Sequence, residues 1–226
     1  VSTFSALIGM TLGWRGMMTK YAGFYDLPTA WNQIFWGIII GMFYATWCDS
    51  ELFIPYLEFV NNGDGAQIPH PLTLLILALL LSVAVHLLLR RDRVRKGGSH
   101  PTSGWALGLA IGGMTAMVLI FRYIFIADGV ISAKMILTVA ALALLTPRCE
   151  AMITAHQGFM MLNGKKWGAV LRSTAWRIAL LTTVYYSIFD PFGWVFIGSM
   201  IMIVDPKIED WIWASIPKPA RRRLRR

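Results

Sequence analysis

Four charged residues in or beside apolar segments are the side chains that could line a polar path through a membrane. Asp190 is the only charged residue between positions 178 and 204. Arg122 and Asp128 lie near the end of one apolar segment, and Lys134 lies near the start of the next. Because ionisable side chains inside a membrane are costly and usually serve a function, we regard all four as candidates for a pathway or a turn. A local ion pair from Asp128 to Lys134 or Arg122 is the alternative.

Motifs for metal binding or covalent catalysis are absent from the sequence. It contains no His-Glu-x-x-His helix, no Gly-x-Ser-x-Gly turn and no pair of carboxylates within one apolar segment. A haem held by two histidines would need facing partners at one depth, and only His86 and His156 could supply them. A hydrogen bond from His86 to a neighbouring helix is the simpler interpretation. We therefore predict no metal ion, no cofactor and no catalytic residue.

The composition predicts that these side chains are held by membrane-embedded elements. Of the 226 residues, 56% are hydrophobic and 15% are charged, and the mean hydropathy is +0.56. Soluble domains carry about 25% charged residues. Ten tryptophans suit the aromatic belts that form at the two lipid–water boundaries of a bilayer. By composition, the chain is an integral membrane protein.

The apolar segments predict an all-α, polytopic fold. A helix needs about 20 apolar residues to cross the hydrocarbon core of a bilayer. Residues 1–14 are too few, so we predict a half-inserted or interfacial helix there. Residues 151–166 are too polar, and we predict an interfacial helix and turn that follow a helix end near Pro147. Full transmembrane helices are predicted at residues 30–47, 72–89, 104–125 and 130–146.

Small residues recur at every fourth position in two of these helices. Residues spaced in this way lie on one face of a helix and let a neighbouring backbone approach closely. We predict that both stripes pack against another helix, either within the protein or in a second copy. The first stripe is Gly37, Gly41 and Ala45, and the second is Gly104, Gly108, Gly112 and Ala116.

Two clusters of basic residues predict the orientation in the membrane. Basic residues beside membrane helices stay on the cytoplasmic side, and we expect both clusters to attract anionic lipids. Nucleic-acid phosphates are the alternative partner of the second cluster, but lipid anchoring explains it more simply. The first cluster is Arg90, Arg91, Arg93, Arg95 and Lys96, and the second is Arg221, Arg222, Arg223, Arg225 and Arg226.

The apolar run from residue 178 to residue 204 is predicted to be a helical hairpin that turns at Asp190. Both flanks of the run are basic, so two crossings are needed to keep both flanks in the cytoplasm. Asp190 suits a helix N-cap and Pro191 suits the first helical position. The limbs would be residues 167–189 and 192–204, and the second is short enough for a re-entrant turn inside the bilayer. The alternative is one tilted helix kinked at Pro191.

The resulting organisation is a single transmembrane domain with a short tail. The domain covers residues 1–206, and an amphipathic, polybasic cytoplasmic tail covers residues 207–226. We expect Arg172 and Arg177, near the start of the first limb, to reach back to the membrane surface. The predicted location is the cytoplasmic membrane of a bacterium or an archaeon, with the C-terminus in the cytoplasm.

These features favour a non-enzymatic multi-pass membrane protein, either a subunit of a membrane-embedded assembly or a conduit of the transport or channel type. The expected partners are a bilayer with anionic lipids, and other membrane subunits or further copies of the chain. The alternative function is a membrane enzyme that acts on lipid head-groups at the cytoplasmic face. Such an enzyme would use His86, His156 or Glu150, which are predicted to lie on the cytoplasmic side.

Overall fold

The computed structural model describes residues 1–21, 26–55, 69–126, 131–190 and 192–216. All regular elements within these residues are helical, and no strand occurs among them, which confirms the prediction of an all-α fold. The α-helices are α1 (Ser2–Met17), α2 (Leu27–Cys48), α3 (Pro71–Leu89), α4 (Asp92–Gly97), α5 (His100–Ile126), α6 (Ala133–Leu162), α7 (Lys166–Phe189) and α8 (Phe192–Ser215).

Three helices within the described residues are long and apolar enough to cross a membrane. They are Pro71–Leu89, His100–Phe125 and Ala133–Leu162, which correspond to α3, most of α5 and α6. The mean hydropathies of their most apolar stretches are 2.8, 1.9 and 1.6. These helices support the prediction of a membrane protein. α2 covers the predicted segment 30–47 but is not one of the three, and α1 is a helix of 16 residues over the predicted N-terminal element.

α5 lies at the centre of the bundle, since 78% of its most apolar stretch is buried. α6 packs along it in the opposite direction. A Cβ atom on Gly104 would lie 2.5 Å from the Thr154 carbonyl oxygen, and one on Gly108 would lie 2.6 Å from Ala151 Cα. Because real Cβ atoms do not approach so closely, glycine at these positions sets the distance between the two helices.

α2 packs along another side of α5 and runs in the same direction. A Cβ atom on Gly37 would lie 2.6 Å from Ala110 Cβ, and one on Gly41 would lie 2.8 Å from Ile111 Cα. The last small residue of each stripe, Ala45 or Ala116, is buried. Both small-residue stripes are therefore covered by helices of the same chain.

α6 differs from its prediction, which ended a helix near Pro147 and placed a separate interfacial helix at residues 151–166. The structure has one helix, Ala133–Leu162, that continues through Pro147. Proline removes one backbone donor, but a membrane helix tolerates this where neighbouring helices pack closely. Gly112 of α5 provides such a contact, because a Cβ atom there would lie 2.6 Å from Pro147 Cα. Within the segment predicted to be interfacial, Thr154 and Gln157 are buried between helices and His156 is partly buried, whereas Asn163, Lys165 and Lys166 are exposed.

α8 runs beside α6 in the same direction. Arg148 of α6 is ion-paired with Asp205 of α8. Further along both helices, the rings of His156 and Trp211 lie 4.8 Å apart. α7 and α8 also contact each other.

α8 is longer than the predicted second limb. It continues through Pro206 to Ser215, so the predicted boundary between residues 206 and 207 falls inside a helix. Ile208 and Ile212 are fully buried, and they pack with Tyr21 and Trp105 in a cluster that also contains residues of α1 and α5. Apolar residues four positions apart on one helix face explain this burial. The five arginines of the tail lie outside the described residues.

Basic residues gather at one end of the bundle, which we call the basic end. α3 and α6 end there and α5 begins there, since Gly158 of α6 packs against the His100 carbonyl oxygen so closely that a Cβ atom would not fit. Arg90 follows the end of α3, and Lys165 lies in the turn between α6 and α7.

Candidate functional site

A buried ion pair between Arg177 of α7 and Glu150 of α6 lies inside the bundle. The two side chains are 1% and 5% exposed. Arg177 Nε donates a hydrogen bond of 2.8 Å to Glu150 Oε1, and Nη2 lies 2.6 Å from the same oxygen. A charge buried to this extent is tolerated only when it is paired and hydrogen-bonded.

The remaining donors of Arg177 are also used. Nη1 donates to Ser82 Oγ of α3 at 2.8 Å and to Gln157 Oε1 at 3.2 Å, and Nη2 donates to Thr154 Oγ1 at 2.9 Å. Thr154 Oγ1 in turn donates to Glu150 Oε1. A guanidinium group has five N–H donors, and Arg177 forms four hydrogen bonds in addition to the Nη2 ion-pair contact with Glu150. The cluster of Arg177, Glu150, Thr154, Gln157 and Ser82, which we call the closed cluster, joins α3, α6 and α7.

The closed cluster changes two expectations from the sequence. Arg177 does not reach back to a membrane surface as predicted, because its guanidinium group is surrounded by α3 and α6. Glu150, a candidate acid or base of the alternative enzyme, is held by Arg177. The signal for this cluster is the spacing of Glu150, Thr154 and Gln157 at i, i+4 and i+7, which places them on one helix face. The predicted helix end near Pro147 separated Glu150 from Thr154 and Gln157, so this spacing was not recognised in the sequence.

The lateral groove is a cavity of about 510 Å³ between α6, α7 and α8. Its charged lining residues are Arg172 of α7 and Lys207 of α8, and His156 of α6 lies near them. Most of the other lining side chains are apolar. They include Met152, Ile153, Ala179, Ile197, Met200 and Ile201.

The two cations of the lateral groove are available to a ligand. Arg172 and Lys207 are exposed, and neither forms an ion pair with any residue that the structure describes. Three acids lie near Lys207 along α8, and none of them pairs with it; Asp210 forms no ion pair with any described residue, and the other two pair elsewhere. Asp205 is paired with Arg148, and Glu209 accepts a hydrogen bond of 2.5 Å from Lys20. This bond raises the pKa of the Lys20 ammonium group.

Two of the predicted pathway residues, Arg122 and Asp190, contact different parts of the molecule. Arg122 Nε donates to Asp49 Oδ1 at 3.0 Å, in the π-helical turn Asp49–Phe53 that continues α2. α2 and α5 run in the same direction, so the two residues meet where both helices end. Asp190 is exposed, and its Oδ1 accepts a hydrogen bond of 3.0 Å from the Phe192 backbone nitrogen, which caps α8. Lys134 is exposed near the start of α6, and Asp128 lies outside the described residues.

The first basic cluster is partly engaged by the protein itself. Arg91 lies over the ring of Trp36 at 4.4 Å from its centroid, and Arg93 Nε is 3.6 Å from Asp26 Oδ2. Arg95 is paired with Asp92 at 2.6 Å. In the part of the chain that the structure describes, no three His, Cys, Asp or Glu side chains form a group that could hold a metal ion.

These observations define an all-helical protein with three helices suited to cross a membrane and a groove on the side of the bundle. Comparisons with protein families, with curated proteins and with solved structures found no match for the chain. The groove and its cationic end are therefore the features from which a function can be inferred.

Proposed function

We propose that this chain is a non-enzymatic multi-pass membrane protein of the transport or conduit type, which admits an amphiphile from the bilayer into the lateral groove. One observation carries this proposal: a cavity of about 510 Å³ whose walls are mostly apolar and whose charged residues are two cations. Ligand sites are typically clefts of roughly 300–1,000 Å³ with apolar walls and a few polar groups. A molecule with an apolar body and one polar end matches this distribution.

The closed cluster supports the proposal because it gives the groove a fixed wall. Arg177 of α7 points toward α3 and α6, whereas Trp176 and Leu180 on the same helix line the groove. The contacts of Arg177 with Glu150 and Ser82 hold α7 against both neighbours. A preformed site loses less conformational entropy when it binds a ligand.

The topology that we propose has four full spans, α2, α3, α5 and α6, and a hairpin of α7 and α8 that turns at Asp190. It is supported by the exposure of Asp190 and by the parallel course of α6 and α8. The basic end would then face the cytoplasm, following the positive-inside rule. In this arrangement the second limb is longer than the sequence suggested, since α8 extends to Ser215.

A membrane enzyme that acts on lipid head-groups is the second candidate function. The observation that favours it is the position of His156, which is half-buried in the lateral groove on the same side as Arg172. His156→Gln distinguishes the two functions, because it would stop head-group turnover but leave lipid uptake by the groove intact. Glu150→Ala does not distinguish them, because loss of Glu150 leaves Arg177 buried without its counter-ion and would harm the fold in either case.

Photo-crosslinking tests the proposed function. The purified protein is reconstituted in phosphatidylcholine vesicles that contain a phosphatidylcholine with a diazirine in its acyl chain, and labelled peptides are mapped by mass spectrometry. We expect labelling at Ala179, Met200 and Ile201. Ala179→Trp fills the groove and should lower this labelling about tenfold, because overpacking a site costs about 1–3 kcal/mol.

The matched control is Leu75→Trp, which places the same ring on the exposed face of α3, where Leu75 is 43% exposed. It should leave the labelling of the groove unchanged. Equal labelling of the groove and of the exposed face of α3, with no response to Ala179→Trp, would refute the proposal. Native mass spectrometry of the same sample reports whether other subunits or further copies accompany the chain.

A further inference from the structure

We propose that the lateral groove binds one anionic phospholipid, with its phosphate on Arg172 and Lys207 and its acyl chains along the apolar wall. This inference rests on the proposed function and adds the charge, the head-group chemistry and the membrane leaflet of the ligand. The residues involved are distinct from the two basic clusters that the sequence pointed to.

Charge complementarity is the first argument for an anionic ligand. Among the described residues, the groove is lined by two exposed cations and by no acidic residue. Asp205 and Glu209 of α8 pair with Arg148 and Lys20, and Asp210, three positions after Lys207, forms no ion pair with it. No described acid is therefore paired with the cations that line the groove, and an anionic ligand can balance their charge.

The types of the two cations favour a phosphate group. The guanidinium group of arginine presents a planar fork that binds two phosphate oxygens at once, and lysine adds a compact point charge. A zwitterionic lipid also carries a phosphate, but its ammonium group would be repelled by Arg172 and Lys207. An anionic head-group brings no such cation, and the site should therefore prefer it.

One aromatic residue of the groove, Trp176, lies where a lipid head-group would meet its acyl chains. It is one helical turn deeper than Arg172 on α7, whereas Trp211 is one turn from Lys207 toward the basic end. Trp176 is 42% exposed, and Trp211 packs on His156. Tryptophan is enriched at this level of a membrane because its ring is apolar and its N–H group can stay hydrated.

The length of the groove indicates a lipid of one leaflet. Along α7 the lining residues extend from Arg172 to Thr183, which are 11 positions apart. At 1.5 Å per residue this interval covers about 16 Å. The hydrocarbon core of a bilayer is about 30 Å thick, so each leaflet contributes about half of that. The groove therefore matches the acyl chains of a lipid in the leaflet at the basic end.

Competitive lipid titration tests this inference. The full chain is titrated in detergent with phosphatidylglycerol or phosphatidylcholine of the same acyl chains, and bound lipid is counted by native mass spectrometry. We expect the wild type to prefer phosphatidylglycerol. Arg172→Gln combined with Lys207→Gln should weaken phosphatidylglycerol binding about 25-fold, since each charge near an anionic head-group contributes about a fivefold change. Phosphatidylcholine binding should change little.

The matched control is Lys165→Gln combined with Lys166→Gln. It removes two exposed charges from the turn between α6 and α7, outside the groove, and should alter phosphatidylglycerol binding by less than about twofold because such charges are screened. A lipid preference that survives the Arg172 and Lys207 changes would overturn the inference. Displacement of phosphatidylglycerol by inorganic phosphate at similar concentration would also overturn it, since the apolar body of the ligand would then contribute nothing.

The outcomes separate this inference from the function on which it rests. If Ala179→Trp abolishes the binding of both lipids but the wild type shows no preference between them, the anionic head-group is wrong and the groove remains a lipid site. If Ala179→Trp changes the binding of neither lipid, the proposed function itself is wrong.

Discussion

Arg172 and Arg177 lie on the same helix, five positions apart, and yet their surroundings differ completely. The guanidinium group of Arg177 is inside the bundle, where it forms four hydrogen bonds and an ion pair with residues of α3 and α6. Arg172 is exposed beside the lateral groove and has no ion-pair partner among the described residues. The positions differ by about 500° of helical rotation at 100° per residue, so the two side chains leave α7 on different faces.

Under the proposed function, this difference gives the two arginines separate purposes. A buried charge whose hydrogen bonds are complete holds neighbouring helices in one arrangement, and it is not available to a ligand. A cation at the mouth of an apolar groove contributes little to folding but provides binding energy when an anion arrives. Conformational stability should therefore depend on Arg177, and ligand selectivity on Arg172.

The largest effect is expected from breaking the closed cluster. Glu150→Ala should lower the free energy of unfolding by about 3–5 kcal/mol, because it leaves the charge of Arg177 buried and unpaired. Thermal unfolding in detergent measures this change. Adding Arg177→Met should recover part of the loss, since the unpaired charge is then removed. Glu209→Ala, which breaks an exposed pair, is the control and should cost less than about 1 kcal/mol. Additive effects of the Glu150 and Arg177 changes would show that the pair is not coupled.

A smaller effect is expected from adding one methyl group, either on α5 beside the closed cluster or on an open face of α8. Gly108→Ala would place a Cβ atom 2.6 Å from the α6 backbone beside Glu150, and overpacking of this kind costs about 1–3 kcal/mol. Gly198→Ala adds the same group on α8, where nothing lies within 4 Å. It should be neutral or stabilise the helix by up to about 1 kcal/mol. Chemical denaturation of the two variants checks the contrast, and equal losses would contradict the difference in packing.

The smallest effect on stability is expected at the groove. Arg172→Ala should change the free energy of unfolding by no more than about 0.5 kcal/mol, as is usual for exposed side chains without partners. The unfolding midpoint of Arg172→Ala, measured without added lipid, is compared with the midpoint of Arg177→Ala to test this expectation. A loss at Arg172 comparable to the loss at Arg177 would mean that Arg172 is part of the packed structure.

Features that depend on local composition could be predicted from the sequence. The all-α fold and the apolar helices at residues 72–89 and 104–125 follow from runs of apolar residues, because the bilayer sets the length that a helix must have. The helix that begins after Asp190 follows from the capping preferences of Asp and Pro. None of these features requires knowledge of which helices are neighbours.

Features that depend on neighbouring helices could not be predicted in this way. Whether Pro147 ends a helix depends on the close approach of Gly112 from α5, and the burial of Gln157 depends on Ser82 of α3. The pairing of Arg122 with Asp49, 73 positions earlier in the chain, likewise depends on α2 and α5 lying side by side.

The sequence by itself determined the class of the protein, the location of most of its helices and the uneven distribution of its charge. Only the tertiary structure decided which charges are buried together and which are left open at the groove. The physical reason is that hydropathy acts along the chain, residue by residue, whereas the pairing of Arg177 with Glu150 requires two helices to have the right direction, rotation and depth at once.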